Sequence, residues 1–177
     1  MRFLTRAECT DWCQKLGISI APDGKPLRDL SPLHSVDVYL PPSFTQLLWL
    51  ARQVEAVLHP RDNCLLWMTD WGIFPSNENN HLYYRLRESY GDKRLLHEAP
   101  GHLCLDFEQP DVATLLHLCI LFGWDVHAIS GGGPGRAFVS HDEYIRVGLD
   151  DELKLANFCK LLNNAQLEYS RSKEEHV

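Results

Sequence analysis

The stretch "HSVDVYLPPSFTQLLWLARQVEAVLHPRDNCLLWMTDW", residues 34–71, decides how the chain is read as a fold. Its first seven residues alternate Val36, Val38 and Leu40 against polar neighbours, the period-2 pattern of a half-buried strand. Pro41-Pro42 stops that strand, and Ser43 with Gln46 has the spacing of a capping box. Leu47, Leu50, Ala51, Val54, Val57 and Leu58 then mark one apolar helical stripe, closed by His59-Pro60. "CLLWMTDW" (64–71) is too short for a helix and too apolar for a half-exposed strand, so a buried strand is predicted. Strand, helix and strand in succession normally imply a right-handed parallel crossover. The expected class is therefore α/β: a single-domain sandwich with a mixed, mostly parallel β-sheet flanked by helices.

Outward from this unit the alternation continues. Upstream, Thr5 and Glu8 form a capping box, and Cys9, Trp12, Cys13 and Leu16 repeat on one face until Gly17. "ISIAPDGKPLRDLSPL" (18–33) holds three of the ten prolines and is predicted to be an irregular connection. Downstream, a helix is expected over 80–90, a strand over 102–108, a helix capped by Asp111, and a strand over 124–130. "RAFVS" (136–140) reads as a further strand that pairs antiparallel with its predecessor. Ser140 and Glu143 resemble another capping box. The last helix is placed from Asp151 to Gln166. The expected organisation is one domain over 1–177: N-terminal helix and irregular connection 1–33, α/β core 34–148, C-terminal helix 149–168 and polar tail 169–177.

A chain of 177 residues with 45% hydrophobic and 23% charged residues is long enough to bury a core without staples. Its formal net charge of −7 disfavours nucleic acid, which draws on clustered Lys and Arg. A basic or neutral protein partner is favoured. No apolar run reaches the roughly 18 residues of a membrane span, and a cytoplasmic location without membrane attachment is expected. Six cysteines stand at 9, 13, 64, 104, 119 and 159 with no C-x-x-C pair, which suits small core residues better than a metal or disulfide framework.

Four constellations bear on chemistry. "HEAPGH" (97–102) only superficially resembles H-E-x-x-H, because Pro100-Gly101 interrupts any helix between the histidines. His102, Cys104 and Asp106 would share one strand face, with Leu103, Leu105 and Phe107 on the buried one. "WDVHAIS" with "SHDEY" places Asp125 and His127 on one strand and His141 and Asp142 after the next, a general-base or metal arrangement at strand ends. "SGGGPGR" carries no G-K-[ST] ending, and Gly131 to Gly135 reads as a hairpin connection.

The fourth is "DWGIFPSNENNHLYYRLRESYGD" (70–92). A helical wheel over 80–90 gathers Leu82, Tyr83, Leu86 and Tyr90 on a core side, with Tyr84 facing away and the arginines flanking. Trp71, Ile73 and Phe74 fall instead among Gly, Pro, Ser and Asn, and exposed aromatics and arginines are enriched at binding hot spots. The expected function is a small acidic protein-binding module, of the immunity or antitoxin type, that occludes a partner protein. The expected contact residues are Trp71, Ile73, Phe74, Asn77, Asn79, Tyr84 and Arg87. No cofactor, metal or catalytic set is expected. The alternative is a metal-dependent or His/carboxylate hydrolase using His97, Glu98, His102, His127, His141 and Asp142.

Overall fold

The computed structural model describes residues 1–31, 33–58, 62–71, 80–133 and 135–171. In chain order the elements are β1 (Arg2–Leu4), α1 (Arg6–Lys15), β2 (His34–Tyr39), α2 (Phe44–Leu58), β3 (Cys64–Asp70), α3 (Asn80–Ser89) and β4 (Gly101–Cys104). They continue with α4 (Gln109–Phe122), β5 (Asp125–Ser130), β6 (Arg136–Ser140), β7 (Tyr144–Leu149), α5 (Glu152–Asn164) and β8 (Tyr169–Arg171).

The strands form one eight-stranded sheet in the order β1-β4-β3-β5-β6-β7-β2-β8. Every neighbouring pair is antiparallel. This corrects the expectation of a mixed, mostly parallel sheet. The crossover logic failed because strands joined through a helix are not neighbours in the sheet. Four antiparallel steps separate β2 from β3, so the two strands do run the same way, but β5, β6 and β7 lie between them. β4 and β5 likewise run the same way with β3 inserted. Helices α2 and α4 thus link strands of like direction that never touch, and the pairing of β6 with β5 expected at 136–140 is present.

Two cores lie on opposite faces. On one, α2 and α4 pack side by side and α5 joins them, burying Leu47, Leu50, Ala51, Val54 and Leu58 of α2 against Val36, Val38, Leu66, Met68, Val126, Ala128, Val139 and Val147. Full burial of each such aliphatic side chain stabilises the fold by about 1.5–3 kcal/mol. On the other face α1 sets Cys9 and Cys13 against Leu4, Leu65, Trp67, Leu103 and Ile129. Its N-terminus is fixed by the Thr5–Glu8 capping box, as the sequence predicts. Gly101 permits this approach, since a Cβ there would lie 2.2 Å from the Cys9 sulfur.

The rest of that second face is crossed by residues 18–31 and Leu33, which have no helix or strand and a single bridge, Ile20 to Pro26. Leu30 is buried over Gly148, where a Cβ would come within 2.9 Å of Leu30 Cδ1. Arg136 holds the same place by donating to the carbonyls of Leu30 (2.9 Å) and Ser31 (3.3 Å).

Several local expectations change. The strand at 102–108 ends at Cys104, because the Glu108 carboxylate accepts from Leu105 N–H and α4 begins at Gln109 with proline in its first turn. Ser140 and Glu143 do not start a helix. The Ser140 hydroxyl accepts from Asp142 N–H, Glu143 takes φ 64°, and the chain reverses into β7. Gln46 does not close a box with Ser43 but reaches the Ala165 carbonyl. Tyr169–Arg171, placed in the polar tail, form an edge strand on β2.

Candidate functional site

Antiparallel order brings several chain reversals to one end of the sheet. β3 finishes there at Asp70, opposite the first residue of β5, Asp125, after a register shift beyond Met68. β6 finishes and β7 begins at the same end, through His141 and Asp142. α3 leaves from β3 and is tied back by Tyr83, whose ring meets Trp124 edge-on at 5.2 Å. Trp71, the residue after β3, is half-buried against the helix-side core.

Asp125 is 0% exposed. Its Oδ1 accepts from the backbone N–H of His141 (2.9 Å) and from His141 Nδ1 (2.8 Å), and its Oδ2 accepts from Arg28 Nη2 (2.7 Å). Charge-assisted bonds of this kind are what make a buried carboxylate tolerable. The Arg28 guanidinium also lies 4.9 Å from the centre of the Phe138 ring. Because Nδ1 is the donor to Asp125, Nε2 is the free nitrogen of His141, and it faces the Asp142 carboxylate at 3.5 Å. This is a histidine oriented by a buried carboxylate, the second half of a triad arrangement. The first half is missing: the Ser140 hydroxyl is engaged with Asp142, and among the described residues no hydroxyl or thiol bonds to Nε2.

His127 lies two residues along β5, 3% exposed, with its ring 4.7 Å from that of Phe138. Burial pushes its pKa down to about 3, and the nearby Arg28, Arg136 and Lys25 push the same way. It is a neutral floor residue close to Lys25 and Arg28 of the irregular segment.

A second polar group is enclosed on the helix side. Nδ1 of His102 bonds the Pro100 carbonyl, which can only accept, so Nδ1 carries the proton and Nε2 receives the Tyr83 hydroxyl hydrogen. Arg87 in turn donates to the Tyr83 oxygen and to Asp92, with its guanidinium 4.7 Å from the Phe3 ring. Burial pushes the His102 pKa down to about 3, with Arg87 adding to the effect.

The expected site residues divide accordingly. His141 and Asp142 come together, with Asp125. His127 lies on the same sheet face beneath them, while His102 lies on the opposite face and cannot join them. His97 and Glu98 are exposed in the turn before β4, where Glu98 accepts from Leu95 N–H. His102 and Cys104 are fully buried, contrary to the lightly packed face expected of them. Arg87, expected at a contact surface, is 1% exposed, because the interior supplies Asp92, Tyr83 and the Phe3 ring. Leu82, expected in the core, is 55% exposed, since the turn of α3 that buries Tyr83 directs its neighbour outward. Tyr84 is half-buried and accepts from Leu96 N–H. Ile73, Phe74, Asn77 and Asn79 lie outside the described residues.

Sequence reasoning missed Arg28, which stands in an aperiodic segment, and Asp92, read only as a surface charge. The glycine loop is not set up for an anion: Gly131 N–H donates to the Asn63 carbonyl and Gly132 abuts the Asp62 carboxylate. Among the described residues no group of three or more His, Cys, Asp or Glu could hold a metal ion. No helix among them is long and apolar enough to cross a membrane. Comparison with known families, curated proteins and solved structures finds no match to this chain.

Proposed function

We propose that the chain is a protein-binding module that occludes a partner protein, as an inhibitor or antidote does, through the sheet end at which β3 gives way to α3. One observation carries the reading. In sequence Ile73, Phe74, Asn77 and Asn79 fall between Trp71, which is half-buried, and α3, whose Leu82 is left 55% exposed. Apolar and aromatic residues interleaved with asparagines in sequence have the composition of a binding hot spot with its rim. The net charge of −7 favours a basic or neutral partner and steers its approach. The test is purification of the tagged full chain from its native host, beside a Leu82→Asp/Phe74→Ala variant. A stoichiometric protein partner, retained by the parent and lost by the variant, is expected; absence of any such partner overturns the reading.

A second reading rests on the Asp125–His141 pair, which gives a hydrolase its oriented base while leaving the attacking group to water or substrate. Its metal-dependent form has no ligand set among the described residues. A His141→Gln variant with unchanged turnover of any ester or amide substrate that the parent hydrolyses would remove it.

A further inference from the structure

The surroundings of Arg28 amount to a receptor for a guanidinium group. Asp125 offers one carboxylate oxygen, the other being held by His141, and Phe138 offers its ring face to the same group. We propose that this cradle is an arginine-recognition site, filled by Arg28 in the free chain and taken over by an arginine of the docked partner. The docked partner rests on the function proposed above; the selectivity of the cradle does not.

Three features separate this arrangement from an ordinary internal ion pair. Asp125 is fully buried, so its free oxygen is committed to whatever cation enters, and a ring face with a carboxylate edge suits a planar guanidinium better than an ammonium. Arg28 itself is the outer partner, its side chain 49% exposed against 0% for Asp125. It also belongs to residues 18–31, which cross this face without helix or strand, and its neighbours Leu27 and Asp29 are exposed. That segment is anchored independently two residues on, by Leu30 over Gly148 and by Arg136 at the Leu30 carbonyl. Arg28 can therefore swing out without unseating it.

The chain contains two internal comparisons. Arg146 pairs with Asp37 through two bonds of 2.6 and 2.7 Å beside the Tyr144 ring, but both partners stand on β-strands. Arg87 is shut inside beneath α3. Of the three arginine, carboxylate and ring groupings among the described residues, only that of Arg28 has a donor on an aperiodic segment with an open outer side.

An internal competitor lowers apparent affinity by the fraction of time it vacates the site. Removing Arg28 should thus raise affinity for an added guanidinium by about tenfold or more. The probe is N-acetyl-arginine amide, with N-acetyl-lysine amide as control, titrated against the full chain, Arg28→Gln and Arg85→Gln while melting temperature and binding are followed. Arg85 is an exposed arginine on α3, so its variant removes the same charge elsewhere. The arginine amide should bind Arg28→Gln and raise its melting temperature. The lysine amide should not, and the parent and Arg85→Gln should respond at least tenfold more weakly. Equal response of all three proteins, equal response to both amides, or none in Arg28→Gln overturns the proposal. Arg28→Lys, which keeps tether and charge but lacks the planar fork, carries the same test if the glutamine variant does not fold. A flat titration with a partner still copurifying removes the cradle alone; a positive titration with no partner removes the proposed function alone.

Discussion

His102 and His127 stand on either side of β3, opposite its consecutive residues Leu66 and Trp67, and therefore point to opposite faces of the sheet. Each is buried and neutral, with its pKa pushed down to about 3. In the unfolded chain both return to about 6.5. The unfolded state then binds more protons between these limits, so the stability present above about pH 6.5 is lost progressively as pH falls towards 3. The slope should be about 1.4 kcal/mol per pH unit for each histidine. Urea midpoints from pH 7.5 to 4 should show it, and His127→Phe should flatten the curve by one proton; an unchanged slope in that variant would mean that His127 is protonated in the folded chain.

Leu82 and Leu50 provide a paired test of surface against core. Leu82→Ala should leave stability within about 0.5 kcal/mol of the parent. Leu50→Ala, which empties a fully buried position beneath α2, should cost about 2–5 kcal/mol. Thermal melts of the two variants suffice, and a large loss in Leu82→Ala would place that side chain in a packed environment.

Asp92 bridges an interior cation and a surface one. Arg87 is 1% exposed while Arg94, the other partner, is about half-exposed. Asp92→Asn strands Arg87 and should cost about 3–5 kcal/mol. Arg94→Ala removes a half-exposed partner of Asp92 and of the Phe3 carbonyl, leaves the Arg87–Asp92 pair in place, and should cost less, about 1–2 kcal/mol. Denaturant midpoints that rank the two the other way would show that Arg87 is satisfied without Asp92.

Gly148 lets Leu30 and Leu33 lie close against the sheet. Gly148→Ala sets a methyl 2.9 Å from Leu30 Cδ1 and 3.2 Å from Leu33 Cβ, a degree of overpacking that should cost about 1–3 kcal/mol. Hydrogen exchange should localise the loosening to residues 18–33, and uniform loosening of the whole sheet would contradict this.

The elements were more legible than their arrangement. The Thr5–Glu8 box and the stripe from Leu47 to Leu58 are local patterns, and both helices formed where they point. Periodicity reports which face of a strand is buried, but not which strand lies beside it. β2 and β3 have the common direction that the helix between them implies, yet three strands intervene. β1 and β8, three residues each, are too short to alternate. In the candidate site, Asp125, His127, His141 and Asp142 were visible as residue types at strand ends. Arg28 was not, because nothing periodic marks the segment that delivers it. Arg87 was visible but misplaced: a guanidinium among apolar neighbours reads as exposed unless the sequence also shows Asp92, Tyr83 and Phe3 converging on it.

The position of β2 has a consequence for the order of assembly. His34–Tyr39 is made early, yet its hydrogen-bonding partners are Tyr144–Leu149 on one side and Tyr169–Arg171 on the other. During synthesis both edges of this Val-rich strand wait, unpaired, until nearly the whole chain has emerged. Pairings so distant in sequence close slowly, and an open strand edge is a template for misassociation in the meantime. Asp37, at the middle of β2, places a charge on that waiting strand until Arg146 arrives to neutralise it. The carboxylate that later ties β2 to β7 thus first serves as a guard against premature self-association.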